Sequence, residues 1–200
     1  MELVKAILAI EETLPPITAL GYEYVVAANG LFVRAEDSRL EAMLPISHTL
    51  GRNLHGLKSQ TPRITLKCPR VPVKWLYSIH QSAFRQIDRE VLYQFRLTTS
   101  DEWTCVVPSQ IASATSIRFL DQIESIIDLH SHNTMNAFFS ETDNGDEAGL
   151  RFYCVIGNLD TDTPKVACRI GVYGNHWRVP VTTIFESTGP FKDTFTDEEI

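Results

Sequence analysis

Four side chains able to do chemistry crowd into IIDLHSHNTMNAFFSETD, residues 126–143. His130 and His132 stand one residue apart behind an apolar run, and Ser140 and Asp143 follow. In a strand, residues i and i+2 point to the same side. The two imidazoles would therefore project together and grip one ion through neutral nitrogens. Asp143 offers a third ligand, which leaves one corner of a tetrahedral zinc for water. Three protein ligands plus water is the catalytic form of a zinc site. Such an ion brings the pKa of its water near 7 and polarises a carbonyl. Asp128 shares the two-residue period of the histidines, so it is a candidate to orient one of them; a water-exposed acid at a strand end fits it equally well.

Taken singly, each part has a plainer reading. An H-x-H at a strand end is more often accident than metal site. Ser140-x-x-Asp143 also reads as a helix start, with Ser140 as N-cap. The two readings are compatible, because a helix N-terminus would hold Asp143 rigidly near the histidines. The joint spacing H-x-H-x7-S-x-x-D is much rarer than its parts. Of the other histidines, His176 in YGNHWRVP reads as structural and His80 as a packing residue in an apolar helix. His48 and His55 carry no spacing signal.

The chain of 200 residues is long enough for one domain with a good core, or for one domain and a small appendage. Its net charge of -7 argues against a general nucleic-acid binder, which needs a basic face. No apolar run approaches bilayer length. The start, MELVKAILAIEETLPP, has neither a basic leader nor a small-residue cleavage site, so no signal peptide is read. Cys68, Cys105, Cys154 and Cys168 form no CxxC pair, which speaks against cysteine-bound zinc and a disulfide framework. A reducing cytoplasm is the expected location.

The elements that must position the candidate ligands are legible in part. Residues 1–70 read as a β-rich element and a linker. Asn29-Gly30 between two strand-like runs signals a hairpin. SRLEAMLPI extends that small sheet, and residues 51–72 read as irregular, with Pro62, Pro69 and Pro72. A helix is expected across residues 71–90, from Trp75, Ile79, Phe84 and Ile87. VLYQFRLTTSDEWTCVVP reads as a second hairpin, and SQIASATSIRFLDQIESI stays ambiguous. SIIDLHSH ends a buried strand, SETDNGDEAGLRF opens as a capped helix, and FYCVIGNLD and KVACRIGVYGNHWRVPV read as two strands. The end of the chain, ESTGPFKDTFTDEEI, residues 186–200, is acidic and expected to be loosely held.

The segment HSHNTMNAFFSETD resembles the signature of the JAMM (JAB/MPN) zinc metalloproteases, H-x-H-x7-S-x-x-D. That family also carries a glutamate where its first long helix meets the next strand, and IDREVLYQFRL offers Glu90 there. The resemblance covers about residues 71–187. DLHSH, AFFS-x-x-D and RIGVYGNHW resemble in particular bacterial JAB proteins with a divergent N-terminal region, such as the PRTRC-system group. Three positions depart from the family pattern. Asn133 replaces a proline, Phe139 replaces another, and Ile127-Asp128 stands in place of Gly-Trp. All ligands are kept; the loop shape, and so the substrate that fits, is what these changes touch.

The resemblance implies an α+β fold of the cytidine-deaminase-like MPN type: a mixed, curved sheet flanked by helices over residues 71–190, a β-rich N-terminal element over 1–70 and an acidic tail over 191–200. It implies zinc on His130, His132 and Asp143, Glu90 as general base and Ser140 as donor to the oxyanion. Glu124 and Glu141 rank behind Glu90 because neither lies at the helix–strand junction. The implied activity is that of a peptidase or isopeptidase. Its substrate would be the C-terminal tail of a ubiquitin-like protein or an extended peptide, and ubiquitin-activating-like or conjugating-like enzymes are implied as partners. Neither nucleic acid nor membrane is expected as a partner, and the oligomeric state stays open, a homo-oligomer included. A catalytically silent MPN scaffold is the alternative, although silent relatives usually lose a ligand. A PHP-type phosphoesterase shares the look of DLHSHN, but its motif opens the chain and needs further ligands, and here only His176 follows.

Overall fold

The computed structural model describes residues 2–48, 53–112, 117–119 and 124–196. These fall into two compact units. The first comprises residues 1–68, 148–150 and 171–177, and the second residues 69–147, 151–170 and 178–200.

The first unit is built on a five-stranded sheet in the order β1 (Val4–Leu8), β2 (Tyr22–Ala27), β3 (Gly30–Glu36), β4 (Leu40–His48), β5 (Arg63–Leu66). The expected hairpin is present: Ala27 pairs with Gly30 across the turn Ala28-Asn29. Gly30 has φ 149°, and a Cβ there would lie 2.0 Å from the Ser47 carbonyl oxygen, so only glycine fits. Val25, Ala27, Phe32 and Met43 form the core with Ala9. A buried ion pair, Arg34 Nη2 to Glu23 Oε2 at 2.6 Å, joins β3 to β2. The expected irregular linker is corrected in one place: Arg63–Leu66 is a strand, because it pairs antiparallel with β4. Residues 49–52 lie outside the described residues.

The larger sheet runs β13 (Asn175–Arg178), β12 (Lys165–Val172), β11 (Leu150–Gly157), β10 (Ile127–Ser131), β6 (Leu92–Leu97), β7 (Trp103–Val106), with β14 (Lys192–Asp193) also on β12. The second expected hairpin is β6–β7, with Asp101 at φ 58° in its turn. KVACRIGVYGNHWRVPV makes two strands, β12 and β13, rather than one. The ambiguous stretch contains a short hairpin, β8 (Gln110–Ala112) with β9 (Ile117–Phe119); residues 113–116 and 120–123 lie outside the described residues. Helix α1 spans Lys74–Phe84 and buries Leu76, Ile79 and Ala83. Its buried stripe is thus rotated from the expected one, and Phe84 is exposed. Phe95 of β6 sits among Trp75, Trp103 and Phe185 in edge-to-face contacts, with centroids 5.7–6.5 Å apart.

β10 is antiparallel to β6 and parallel to β11. Parallel neighbours need a crossover between them. Here that crossover carries α2, Glu141–Asp146. The chain therefore leaves the end of β10, where the histidines sit, and turns at once into the helix that bears Asp143. Mixed sheets with two α-helices among the described residues make this an α+β fold. The end of the chain corrects the expectation of a loose tail. Phe191 is buried, Lys192–Asp193 pairs with β12, and Asp193 Oδ2 accepts from the Val181 amide at 2.7 Å. Residues 197–200 lie outside the described residues. Among the described residues, no helix is long and apolar enough to cross a membrane.

Candidate metal centre

β10 alternates buried Ile127, Leu129 and Ser131 with half-buried Asp128 and His130. The apolar side anchors the strand in the core, and the other side presents the candidate ligands. His132 follows just past the strand end and is 4 % exposed. Ser131, between the histidines, is fully buried and ties β10 to the chain before β6. Its amide donates to the Val91 carbonyl at 3.1 Å, and its Oγ accepts from the Val91 amide at 3.0 Å. His130 pairs with Leu92 in that register. Glu90 directly precedes Val91, whose amide and carbonyl both bond Ser131 between the two histidines.

The two Nε2 atoms of His130 and His132 lie 3.1 Å apart, and His130 Nε2 is 3.5 Å from Asp143 Oδ1. One ligand atom from each of the three residues lies within 4.8 Å of the others. Zinc with bonds of about 2.0–2.1 Å and tetrahedral angles spaces its ligand atoms by about 3.3 Å. The donors and their separations therefore fit a zinc-sized cation. His132 Nδ1 lies 3.3 Å from the Asn136 carbonyl oxygen. A proton on Nδ1 donated to that carbonyl leaves the Nε2 lone pair facing the site. Burial drives the His130 pKa down to about 4, against the opposing pull of Asp143, and burial also lowers His132. Both rings are then neutral at pH 7, the form that ligates.

Asp143 divides its two oxygens between two tasks. Oδ2 accepts from the Ser140 amide at 2.6 Å and from Ser140 Oγ at 2.8 Å, while Oδ1 faces His130. The Asp143 amide returns a bond to Ser140 Oγ at 3.2 Å, which completes a capping box at the start of α2. The expected helix cap and the expected ligand are thus one residue. Glu90 is 5 % exposed. Burial, and secondarily the charge of Asp143, pushes its carboxyl up to about 7. A carboxyl held near neutrality beside a ligand cluster is suited to passing protons.

Other candidates fall away. Asp128 does not orient a histidine; its oxygens take Ser125 Oγ at 2.6 Å, Gln94 Nε2 at 3.0 Å and Arg151 Nη1 at 2.9 Å. A guanidinium from β11 claims it, and pairing across strands cannot be read from the local sequence. His80 packs edge-to-face on Phe191, as a packing residue should. Glu124 and Glu141 are exposed, as are His48 and His55. His176 lies on β13 and is not among the three clustered ligands.

The loop from His132 to Ser140 departs from the family pattern for physical reasons. Asn133 has φ 52°, a left-handed conformation closed to proline and tolerated by asparagine. Its carbonyl accepts from the Leu159 amide at 2.9 Å. The loop then lies hard against β11: a Cβ on Gly157 would be 2.3 Å from the Met135 carbonyl oxygen. Phe139 packs on Ala137, Val155 and Ala167. Sequence reasoning passed over Ser131, Arg169 and Glu147, which support the site. A lone arginine inside the apolar run KVACRIGV was the available signal for Arg169.

Residues 75–171 match the family described as prokaryotic homologs of the JAB domain. The matched segment contains Glu90, both histidines, Ser140 and Asp143. Over those residues the chain is similar to that family, which supports a JAB/MPN-type domain there. No curated protein matches it.

Proposed function

We propose that the chain is a JAMM-type zinc peptidase or isopeptidase. The observation that carries this reading is the convergence of His130, His132 and Asp143 to ligand spacing, with buried Glu90 near enough to feel the charge of Asp143. His130, His132 and Asp143 would hold the zinc. When bound, that ion supplies Lewis-acid polarisation of the scissile carbonyl and an acidified water. Glu90 accepts a proton from the attacking water on a carboxylate oxygen and delivers it to the leaving amine nitrogen. Ser140 Oγ turns its proton from Asp143 Oδ2 to the oxyanion, while Asp143 keeps the Ser140 amide bond. The family's cytidine-deaminase-like sandwich is the architecture this reading assigns to the larger sheet.

The substrate class follows from the resemblance: the C-terminal tail of a ubiquitin-like protein or an extended peptide, added as a strand to an open sheet edge. Ubiquitin-activating-like or conjugating-like enzymes would be partners, and residues 1–70 a specificity or regulatory module. Free thiols at all four cysteines suit a cytoplasmic setting. The test is hydrolysis of a fluorogenic peptide-amide library and of ubiquitin-like conjugates by the zinc-loaded chain. Chelator-sensitive cleavage, lost in Glu90→Ala at unchanged zinc content, supports the proposal. Full activity in Glu90→Ala refutes the base assignment. Stoichiometric zinc without any cleavage points to a silent scaffold.

A further inference from the structure

We propose that Arg169 is a positioning residue that sets Asp143 in place for the metal, an inference that rests on the metal-centre part of the reading above. Helix α2 has six residues. A helix that short does not persist alone in water. Its capping box ties Asp143 to Ser140, but that bond is local and does not fix how the helix turns against the sheet. One residue of rotation is about 100° and would carry the carboxylate away from the histidines.

Arg169 supplies the missing tie from β12. Its guanidinium carbon lies 3.9 Å from the ring centroid of Phe139, the residue before the N-cap. Its Nη1 donates to Asn144 Oδ1 at 2.6 Å. Its Nε donates to Glu147 Oε2 at 2.7 Å, and Nη2 lies 2.6 Å from the same oxygen. These contacts fall at residues 139, 144 and 147, so they bracket Asp143 on both sides. Glu147 is the C-cap of α2, and its amide donates to the Asp143 carbonyl at 3.0 Å. Behind the clamp, Phe139 packs on Val155, which pairs with His130 in the β10–β11 ladder. A rigid path therefore runs from the histidine strand through the sheet to the helix that carries the third ligand.

The energetics favour a positioning role. The Arg169 and Glu147 side chains are 7 % and 9 % exposed. Burying such a pair costs several kcal/mol of hydration per ion, and an apolar pair of similar volume is often as stable. What an apolar pair cannot supply is a planar fork with fixed bond directions. That fork defines the angle of α2.

The test compares the full chain with Arg169→Met, Arg169→Lys and Asn144→Ala. Zinc dissociation constants are measured by chelator competition, and the zinc-free forms are followed by circular dichroism and thermal melting. Arg169→Met is expected to bind zinc about 10–100-fold more weakly. Arg169→Lys, which keeps the charge and loses the fork, falls between it and wild type. Asn144 is exposed, so Asn144→Ala shifts the zinc-free melting curve far less than Arg169→Met does, while weakening zinc by about threefold or more. That separation is what a merely structural role would not produce. If Arg169→Met does not fold, Asn144→Ala decides. Zinc binding in the folded variants within twofold of wild type overturns the inference alone. Absence of zinc binding in the wild-type chain overturns it together with the metal centre.

Discussion

Ser140 and Asp143 cap each other: the Ser140 amide donates to Asp143 Oδ2 at 2.6 Å, and the Asp143 amide donates to Ser140 Oγ at 3.2 Å. The same aspartate turns its other oxygen to His130. Folding energy at the helix start thereby holds a ligand in place.

Ser140→Ala removes half of that cap and the proposed oxyanion donor. It is expected to cost about 1 kcal/mol of stability and to lower kcat by about 10²–10³. Zinc content stays near that of the wild type, since no ligand is lost. Denaturant unfolding, metal analysis and steady-state kinetics on one preparation check the three parts together.

Glu90 gives a pH signature to the zinc-free protein. Its carboxyl is at about 7 in the fold, against 4.5 ordinarily, so the folded state binds the proton more tightly than the unfolded chain does. Its contribution is therefore full below about 4.5 and is lost as pH rises to about 7. Glu90→Gln removes that loss. The stability gap between Glu90→Gln and wild type should widen with pH across this window, by on the order of 2 kcal/mol. Urea midpoints in the presence of chelator measure it; a gap that stays flat contradicts the burial of an ionisable Glu90.

The same group sets the acid limb of activity. As a base it must be ionised, so kcat/KM should fall as pH drops through the Glu90 pKa. A bound dication favours the carboxylate, which puts this limb below the zinc-free value of about 7. An acid limb above that value would assign the base elsewhere.

The loop after the histidines makes a prediction against the family pattern. Asn133→Pro restores the residue usual in JAMM proteins, yet φ 52° excludes it. A loss of about 1–3 kcal/mol is expected, from strain or from rebuilding the loop. Gly157→Ala should cost a similar amount, because its Cβ would meet backbone at 2.3 Å. Thermal unfolding of both variants checks this.

The parts of the site that could be read from the sequence are those set by local spacing. His130 and His132 are a strand residue and its i+2 neighbour, and Ser140-x-x-Asp143 is a local capping pattern. Glu90 was reachable only through resemblance, since its approach to the site depends on how the chain before β6 meets β10. The role of Asp128 stays open in the sequence for the same reason: its partner Arg151 comes from another strand. Arg169 is 22–30 residues beyond the residues it grips, and no local pattern joins them. Of the fold, both expected hairpins appeared, and β5 and β14 were missed because each is short and exists through its neighbour.

Zinc K-edge X-ray absorption on the metal-loaded chain tests the metal centre most directly. The expected result is about one zinc per chain, with nitrogen and oxygen neighbours near 2.0–2.1 Å, an imidazole pattern for two histidines and no sulfur. A chain that retains no zinc, or a zinc with sulfur neighbours near 2.3 Å, would contradict the site formed by His130, His132 and Asp143.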